Sequence, residues 1–409
     1  MLHSRLFAGV HTDRATALDH YITVIDAVLG LKRKHAAALP DNIKSLSDAL
    51  TSRRGEGLRS NYMADPRILS AYVSYFLPWN LFRLVSILPG LDLQLPEKSV
   101  IVDLGSGPLT FVQALYLARP DLRRQKLVFH CYDTAGAALK MGKDLFFELV
   151  KRTEGPEAKS AWHIEIEQAP LQAGLTKRAD LVVAVNVVNE FVGFSRQGGN
   201  ESELYAVAEK FLFGPAQPGR ILFVEPGTRM ASGNLARLRD AFIELGAPIK
   251  GPCTHTGSCP YGNRMSKGWC HFIMPAKQAP SWLRDLSKRA GLHKERAGLS
   301  YLDIGNRETV EHDTENSGLR LGRVLSDAFP LRLGGTGAMG RYVCAEGGLV
   351  VAMGDIVQSW KQGDVIRLDG LETLGKDEKS GLPLVGAQIQ QPRSTRDNDS
   401  AKRPYPKRH

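Results

Sequence analysis

The stretch Ser99-Val-Ile-Val-Asp103-Leu-Gly105-Ser-Gly107-Pro-Leu109-Thr110 decides the fold. Val100 to Leu104 has the length and composition of a strand, two closely spaced glycines follow, and from Leu109 to Arg119 the apolar positions take helical spacing. A strand entering a helix through a glycine turn is the opening unit of a parallel α/β sheet. Gly105 and Gly107 let the backbone approach a ligand closely, and the helix start offers backbone N–H groups without internal partners. Asp133 ends the next apolar run, Leu127 to Tyr132, where a carboxylate can accept hydrogen bonds from both hydroxyls of a ribose. The plainer reading, a tight turn with Asp133 as a helix cap, needs no ligand, but the strand-turn-helix context favours one.

Outward from this unit the same alternation continues. Helical spacing carried by Ala137 to Leu149 is followed by strands over Ala161 to Glu167 and Leu181 to Asn186, a helix from Leu204 to Phe213, a strand from Arg220 to Glu225 and a helix from Ser232 to Leu245. Residues 96–250 are therefore read as an α/β core. Before it, helical runs over Ala15 to Ala38, Ile43 to Leu50 and Pro66 to Leu88, the last kinked or broken at Pro78, make 1–95 a helical region. After it, Gly-, Cys- and Pro-rich texture to Pro280 is too irregular for regular structure, and 251–300 is read as a cysteine-rich insertion. Short strands, among them Arg341 to Cys344, Gly348 to Met353 and Asp364 to Leu368, make 301–385 a small C-terminal β module. The final segment, 386–409, mixes Arg393, Arg396, Lys402, Arg403, Lys407 and Arg408 with prolines and is read as a basic disordered tail.

The chain has 409 residues, 43% of them hydrophobic, and a formal charge of +10, which fits a soluble protein and favours a polyanionic partner. No apolar run approaches the ~18–20 residues of a membrane span. The first residues, Met1-Leu-His-Ser-Arg-Leu-Phe-Ala-Gly-Val-His11, are too weakly hydrophobic for a secretory signal and make a faint presequence at most. These features favour a bacterial cytoplasm, with a mitochondrial matrix as the alternative. In such a reducing compartment grouped cysteines point to a metal, not to disulfides.

Cys253, Cys259, Cys270 and Cys344 form such a group, with 5, 10 and 73 residues between successive members. Structural zinc usually takes ligand pairs two to four residues apart, so these gaps suit it poorly, whereas a [4Fe-4S] cluster tolerates them. Under the zinc reading His255 and His271 are further possible ligands. Cys131, inside the second strand, reads as a small buried hydrophobe.

The Asp-x-Gly-x-Gly turn with its ribose acid on the following strand resembles the first two motifs of seven-stranded S-adenosylmethionine-dependent methyltransferases. That likeness implies that Asp103 orients the turn and the methionine ammonium, that Gly105 and Gly107 approach the cofactor, and that Asp133 holds the ribose. Asn186, Asn189 and Glu190, ending the Leu181 strand, fall where such enzymes place acceptor-facing groups and are read as lining a pocket, with Asn186 on the cofactor. The Asn/Asp-Pro-Pro-Tyr/Phe run of base-amino methyltransferases is absent there, and no catalytic residue is assigned. A wider resemblance covers Tyr72 to Asp355. Glu225-Pro-Gly-Thr228, Cys253 with Cys259-Pro260, Trp269-Cys270-His271-Phe272 and Arg341-Tyr-Val-Cys344 are similar to the small-ribosomal-subunit methyltransferase-like family. The resemblance implies that the four cysteines ligate a [4Fe-4S] cluster and that the glycine turn binds S-adenosylmethionine. It also implies a partner, small-subunit ribosomal RNA or the assembling small ribosomal subunit. The protein is then either an RNA methyltransferase or a non-catalytic assembly factor that retains the pocket. We expect a monomer that stays off membranes, with the cluster clasping the β module to the core.

Overall fold

The computed structural model describes residues 2–7, 12–51, 62–191, 201–262, 268–306, 320–331 and 338–387. The basic tail from 388 onward lies outside the described residues. Among the described residues no helix is long and apolar enough to cross a membrane.

The N-terminal part holds a short strand β1 (Leu2–Ser4) and helices α1 (Thr12–Leu29), α2 (Arg33–Thr51), α3 (Pro66–Ala71) and α4 (Leu77–Ile87). The single helix expected over 15–38 is broken at Gly30, whose φ of +51° glycine adopts readily. Before Pro78 the backbone winds as a π-turn over Tyr72–Phe76, and the proline then sits in the first turn of α4, where its missing N–H costs nothing. Tyr21 on α1 donates to Gln113 at 2.5 Å, and Gln113 donates to the Pro108 carbonyl at 2.8 Å. Through that buried pair the helical region braces the glycine turn.

The core comprises β2 (Val100–Leu104), α5 (Thr110–Ala118), β3 (Val128–Asp133), α6 (Gly136–Glu154), β4 (His163–Gln168), α7 (Leu171–Gly174), β5 (Leu181–Val185), α8 (Val188–Phe191), α9 (Glu201–Phe213), β6 (Arg220–Pro226), α10 (Arg229–Glu244), β7 (Ile249–Gly251), β8 (Phe272–Pro275), α11 (Ser281–Arg289) and β9 (Arg296–Gly305). Its strand order is β4-β3-β2-β5-β6-β9-β7, with β8 also paired to β9. Strands β2 to β6 are mutually parallel, and β9 runs antiparallel to β6, β7 and β8. A fully parallel stretch needs cover on both faces. Two buried apolar clusters supply it, one joining the sheet to the helical region and one joining it to α9 and α10.

The sheet thus runs to Gly305, beyond the boundary at 250 expected from the sequence, and the Gly-, Cys- and Pro-rich stretch from Gly246 to Pro280, read as irregular, contributes β7 and β8. A buried ion pair explains why β9 belongs here. Arg220 on β6 grips Asp303 on β9 at 2.6 and 2.8 Å and donates onward to the Leu91 and Asp92 carbonyls. Those partners lie 83 to 129 residues away, so local texture does not announce the strand.

The second sheet contains β10 (Leu321–Val324), β11 (Phe329–Pro330), β12 (Met339–Ala345), β13 (Gly348–Met353), β14 (Val365–Arg367), β15 (Leu371–Lys376) and β16 (Pro383–Ala387). Its order is β1-β14-β10-β12-β13-β16-β15, with β11 on β12. The β module expected from the sequence is present. Its edge strand β1, however, comes from the extreme N-terminus, which the sequence reading had assigned to the helical region.

Candidate cofactor pocket and four-cysteine site

The order of the core sheet reverses direction of growth at β2 and β5, and the crevice beyond their carboxyl ends is where open α/β sheets bind ligands. A cleft lies there, walled by the Gly105–Gly107 turn, Asp133, Asn186, Glu190, Tyr72, and Tyr62 with Met63. Gly105 (φ +69°) accepts no side chain, because a Cβ there would meet the Val187 Cγ1 at 2.4 Å. Helix α6 presses on the same turn through Gly142, where a Cβ would lie 2.2 Å from the Pro108 carbonyl carbon. Leu109 caps α5 in the left-handed region (φ +55°), a costly conformation for leucine that over-determines the turn.

The Asp133 carboxylate accepts from the Gly107 N–H at 2.9 Å and the Ala135 N–H at 2.8 Å, one on each oxygen. Each oxygen retains a lone pair facing the cleft wall, which suits a ribose diol. Burial raises its pKa while the two backbone donors pull it down. Asn186, at φ +62°, turns the chain at the end of β5 in a conformation asparagine tolerates, and places its side chain on the cleft. The following turn is fixed by Glu225, whose buried carboxylate accepts from the Val188 N–H at 2.9 Å. Glu190 stays exposed at the mouth. The cleft wall and then Asp133 push its pKa up, and its exposure to solvent tempers that rise.

Asp103 sits differently from its neighbours. It is 1% exposed behind the turn, does not line the cleft, and its Oδ2 has no hydrogen-bond partner. Burial, with Asp133 as a weaker contributor, pushes it up to about 7. The folded protein then holds a proton that the unfolded chain releases near pH 4, so stability falls as pH rises from about 4 to about 7. Asp103→Asn, a neutral isostere, is expected to flatten the pH dependence of Tm in the cofactor-free protein and to raise stability at pH 8 by up to ~4 kcal/mol. Thermal denaturation across that range checks it, and an unchanged slope contradicts it.

The four cysteines expected to act together do line one cavity between the two sheets. Cys253 follows β7, Cys259 lies in the next turn, Cys270 precedes β8, and Cys344 comes from β12. Burial raises the pKa of each thiol, and mutual proximity adds to the rise at Cys259, Cys270 and Cys344. Among the described residues no three His, Cys, Asp or Glu side chains form a group that could hold a metal ion. His255 Nε2 lies 3.4 Å from the Cys344 sulfur, whereas His271 stacks on Trp269 and contacts its carbonyl, away from the cavity. Cys131 is fully buried in β3.

Two arginines missed by the sequence reading enclose the cavity. Arg239, 2% exposed on α10, donates to the Cys253 sulfur at 3.1 Å and to the His255 and Gly257 carbonyls, and pairs with Asp240. Arg323 on β10 donates to the Pro252 and Gly363 carbonyls at 2.7 and 2.6 Å. The available signal was an arginine among Leu235, Leu238 and Phe242, the buried positions of α10. The remaining motif residues act as fasteners. The Trp269 indole donates to the Gly227 carbonyl at 3.0 Å, and Ser232 and Ser300 both donate to the Cys270 carbonyl. Glu225-Pro-Gly-Thr228 and Trp269-Cys270-His271-Phe272 therefore hold each other in place.

The strand order, the reversed β9 and the cleft at the β2/β5 switch define a seven-stranded methyltransferase-type α/β fold. Residues 71–325 match the family described as mitochondrial small ribosomal subunit Rsm22, and the chain belongs to that family. No curated protein sequence matches the chain. Solved structures it is similar to include YjhP from E. coli, at 15% identity over 56% of this chain and 92% of that one with a TM-score of 0.30. A SAM-dependent methyltransferase from Thiobacillus denitrificans, in complex with S-adenosyl-L-homocysteine, is 13% identical over 55% and 91% of the two chains with a TM-score of 0.31. The cyclopropane synthase MmaA2 from Mycobacterium tuberculosis is 9% identical over 70% and 98%, with a TM-score of 0.30. The fold assignment rests on strand order and direction, not on likenesses of this size.

Proposed function

We propose that this protein is an S-adenosylmethionine-binding, methyltransferase-like factor that acts on or holds small-subunit ribosomal RNA during ribosome assembly or translation. The observation that carries this reading is a ribose-type pocket at the switch point of a methyltransferase-type sheet, in a chain of a small-ribosomal-subunit family. Asp133 would hold the ribose hydroxyls, the Gly105–Gly107 backbone would pass close to the cofactor, and Asn186 would close the pocket. S-adenosylmethionine, when bound, supplies an electrophilic methyl group. Glu190, at the mouth and with a raised pKa, is the group placed to accept a proton from an attacking acceptor. The chain works in a compartment that contains ribosomes, bacterial cytoplasm or mitochondrial matrix.

A second reading is favoured by the sequence after β5. Asn186-Val-Val-Asn-Glu190 stands where base-amino methyltransferases carry an Asn/Asp-Pro-Pro-Tyr/Phe run, so the pocket can serve a non-catalytic assembly factor that binds cofactor without transferring a methyl group. Incubation of purified protein with labelled S-adenosylmethionine and small-subunit RNA separates the two. Label in the RNA supports the enzyme, cofactor binding without transfer supports the assembly factor, and absence of cofactor binding overturns both.

Cys253, Cys259, Cys270 and Cys344 are proposed as the ligands of a structural [4Fe-4S] cluster. Their common cavity and two buried arginines to balance negative charge support it. A single zinc with Zn–S bonds of ~2.3 Å would draw four sulfurs into a tighter set than a cluster needs. Four protein ligands leave no iron open to substrate, so the role is to join the core to the second sheet.

A further inference from the structure

Two cations near the cofactor cleft have no anionic partner. Arg83 on α4 donates from Nη1 to Asn80 at 2.7 Å, but its Nε is buried without an acceptor. Lys294, in the turn between α11 and β9, lies 5.3 Å above the Tyr75 ring and 5.1 Å above the Trp79 ring. Among the described residues neither cation forms an ion pair with a carboxylate. Burial and then the charge of Arg83 pull Lys294 down to about 7, while burial lowers Arg83 to about 10. Buried cations are ordinarily paired. Two such cations together, one held by the Asn80 amide oxygen and the other by aromatic faces, describe a site that lacks its oxyanion.

Their place in the fold says where that oxyanion comes from. Strand β9 runs antiparallel to β6, with Leu299 paired to Pro226, so Lys294 stands beyond the carboxyl ends of the parallel strands, on the ligand-binding side of the sheet. The π-turn Tyr72–Phe76 brings Tyr72 to the wall of the cofactor cleft and Tyr75 beneath Lys294. Short π-turns inside helices recur at functional sites. Tyr75 is buried, and its hydroxyl lies 3.4 Å from the Ser287 hydroxyl, whose own proton goes to the Leu283 carbonyl at 2.9 Å.

We propose that Arg83 and Lys294 form an oxyanion site beside the acceptor mouth of the cofactor cleft, and that it receives a backbone phosphate of the bound RNA. The inference rests on the RNA-binding reading above and adds the residues that fix the strand there. Guanidinium and ammonium supply charge and hydrogen bonds, and the aromatic platform beneath Lys294 holds the ammonium in place for a phosphodiester. The shared chemistry also fits the methionine carboxylate of the cofactor, which the experiment distinguishes.

Binding of the full-length protein to a small-subunit RNA fragment is measured by fluorescence anisotropy over a series of KCl concentrations for wild type, Lys294→Met and Arg83→Gln. Calorimetric titration with S-adenosylmethionine runs in parallel. The site predicts a loss of RNA affinity of about 3- to 10-fold per substitution. It also predicts a salt slope shallower by ~0.7 and an unchanged cofactor Kd. Folded Lys294→Met protein with wild-type affinity and slope overturns the inference, and the half-exposed Lys294 keeps this arm readable if Arg83→Gln does not fold. A weakened cofactor Kd with unchanged RNA binding also overturns it, assigning the oxyanion to the cofactor. Wild-type protein that binds no RNA overturns the proposed function and the inference together.

Discussion

Cys344→Ser protein is expected to lose its iron and to lower Tm by about 10 °C or more, with the second sheet becoming separable from the core by limited proteolysis. In the proposed cluster Cys344 is the ligand contributed by β12, so it would tie that sheet to the sulfurs at 253, 259 and 270. Metal binding coupled to folding is worth ~10 kcal/mol or more in small metal-dependent domains, and even a third of that exceeds the effect of an ordinary surface substitution. Other links cross the same boundary, including Arg323 to Pro252, Thr254 to Leu321 and Gln362 to His271. These make dissociation of the sheets incomplete without removing the loss of stability. Calorimetry, iron analysis and proteolysis of wild type and variant provide the check. Wild-type protein with stoichiometric zinc and no iron, or a variant with unchanged Tm and cleavage pattern, contradicts the clasp.

Asp133→Ala is expected to weaken S-adenosylmethionine binding by about 100-fold. One carboxylate supports the turn, through the Gly107 and Ala135 amides, and in the proposed pocket would also hold the ribose hydroxyls. Charged hydrogen bonds are worth ~1.5–3 kcal/mol each, so losing the ribose contacts alone accounts for a factor of this size. Asp133→Asn separates the two duties, because it keeps an oxygen for one backbone donor while losing charge and one acceptor. It should fall between wild type and Asp133→Ala in calorimetric titration. An Asp133→Ala affinity within threefold of wild type means the ribose lies elsewhere.

The parts of the fold legible in the sequence are those whose cause is local. Val100 to Leu104, the glycine turn and α5 carry their own periodicity and backbone demands, and β13 occupies the predicted Gly348–Met353. What escaped depends on distant partners. Strand β9 reads Arg-Ala-Gly-Leu-Ser-Tyr-Leu-Asp-Ile-Gly, interrupted by glycines and an aspartate. The aspartate makes sense only against Arg220, and the first glycine only against the backbone of Gly227. Strand β1 pairs with Val365 and Ile366, across almost the whole chain.

The same division holds at the sites. Gly105, Gly107, Asp133 and Asn186 fall on one cleft, and the four cysteines on one cavity, because motif spacing encodes both sets. Asp103, expected at the cofactor, is buried behind the turn. Arg239 reaches Cys253, and Arg323 the neighbouring Pro252 carbonyl, from elements whose sequences give no motif, and Glu225 reveals its role only when β6 brings it beneath Val188.

Crosslinking in cells, followed by sequencing of the RNA attached to this protein, tests the central claim most directly. The account predicts crosslinks concentrated in small-subunit ribosomal RNA or its precursor, and their loss with transfer RNA or messenger RNA as the main species would contradict it.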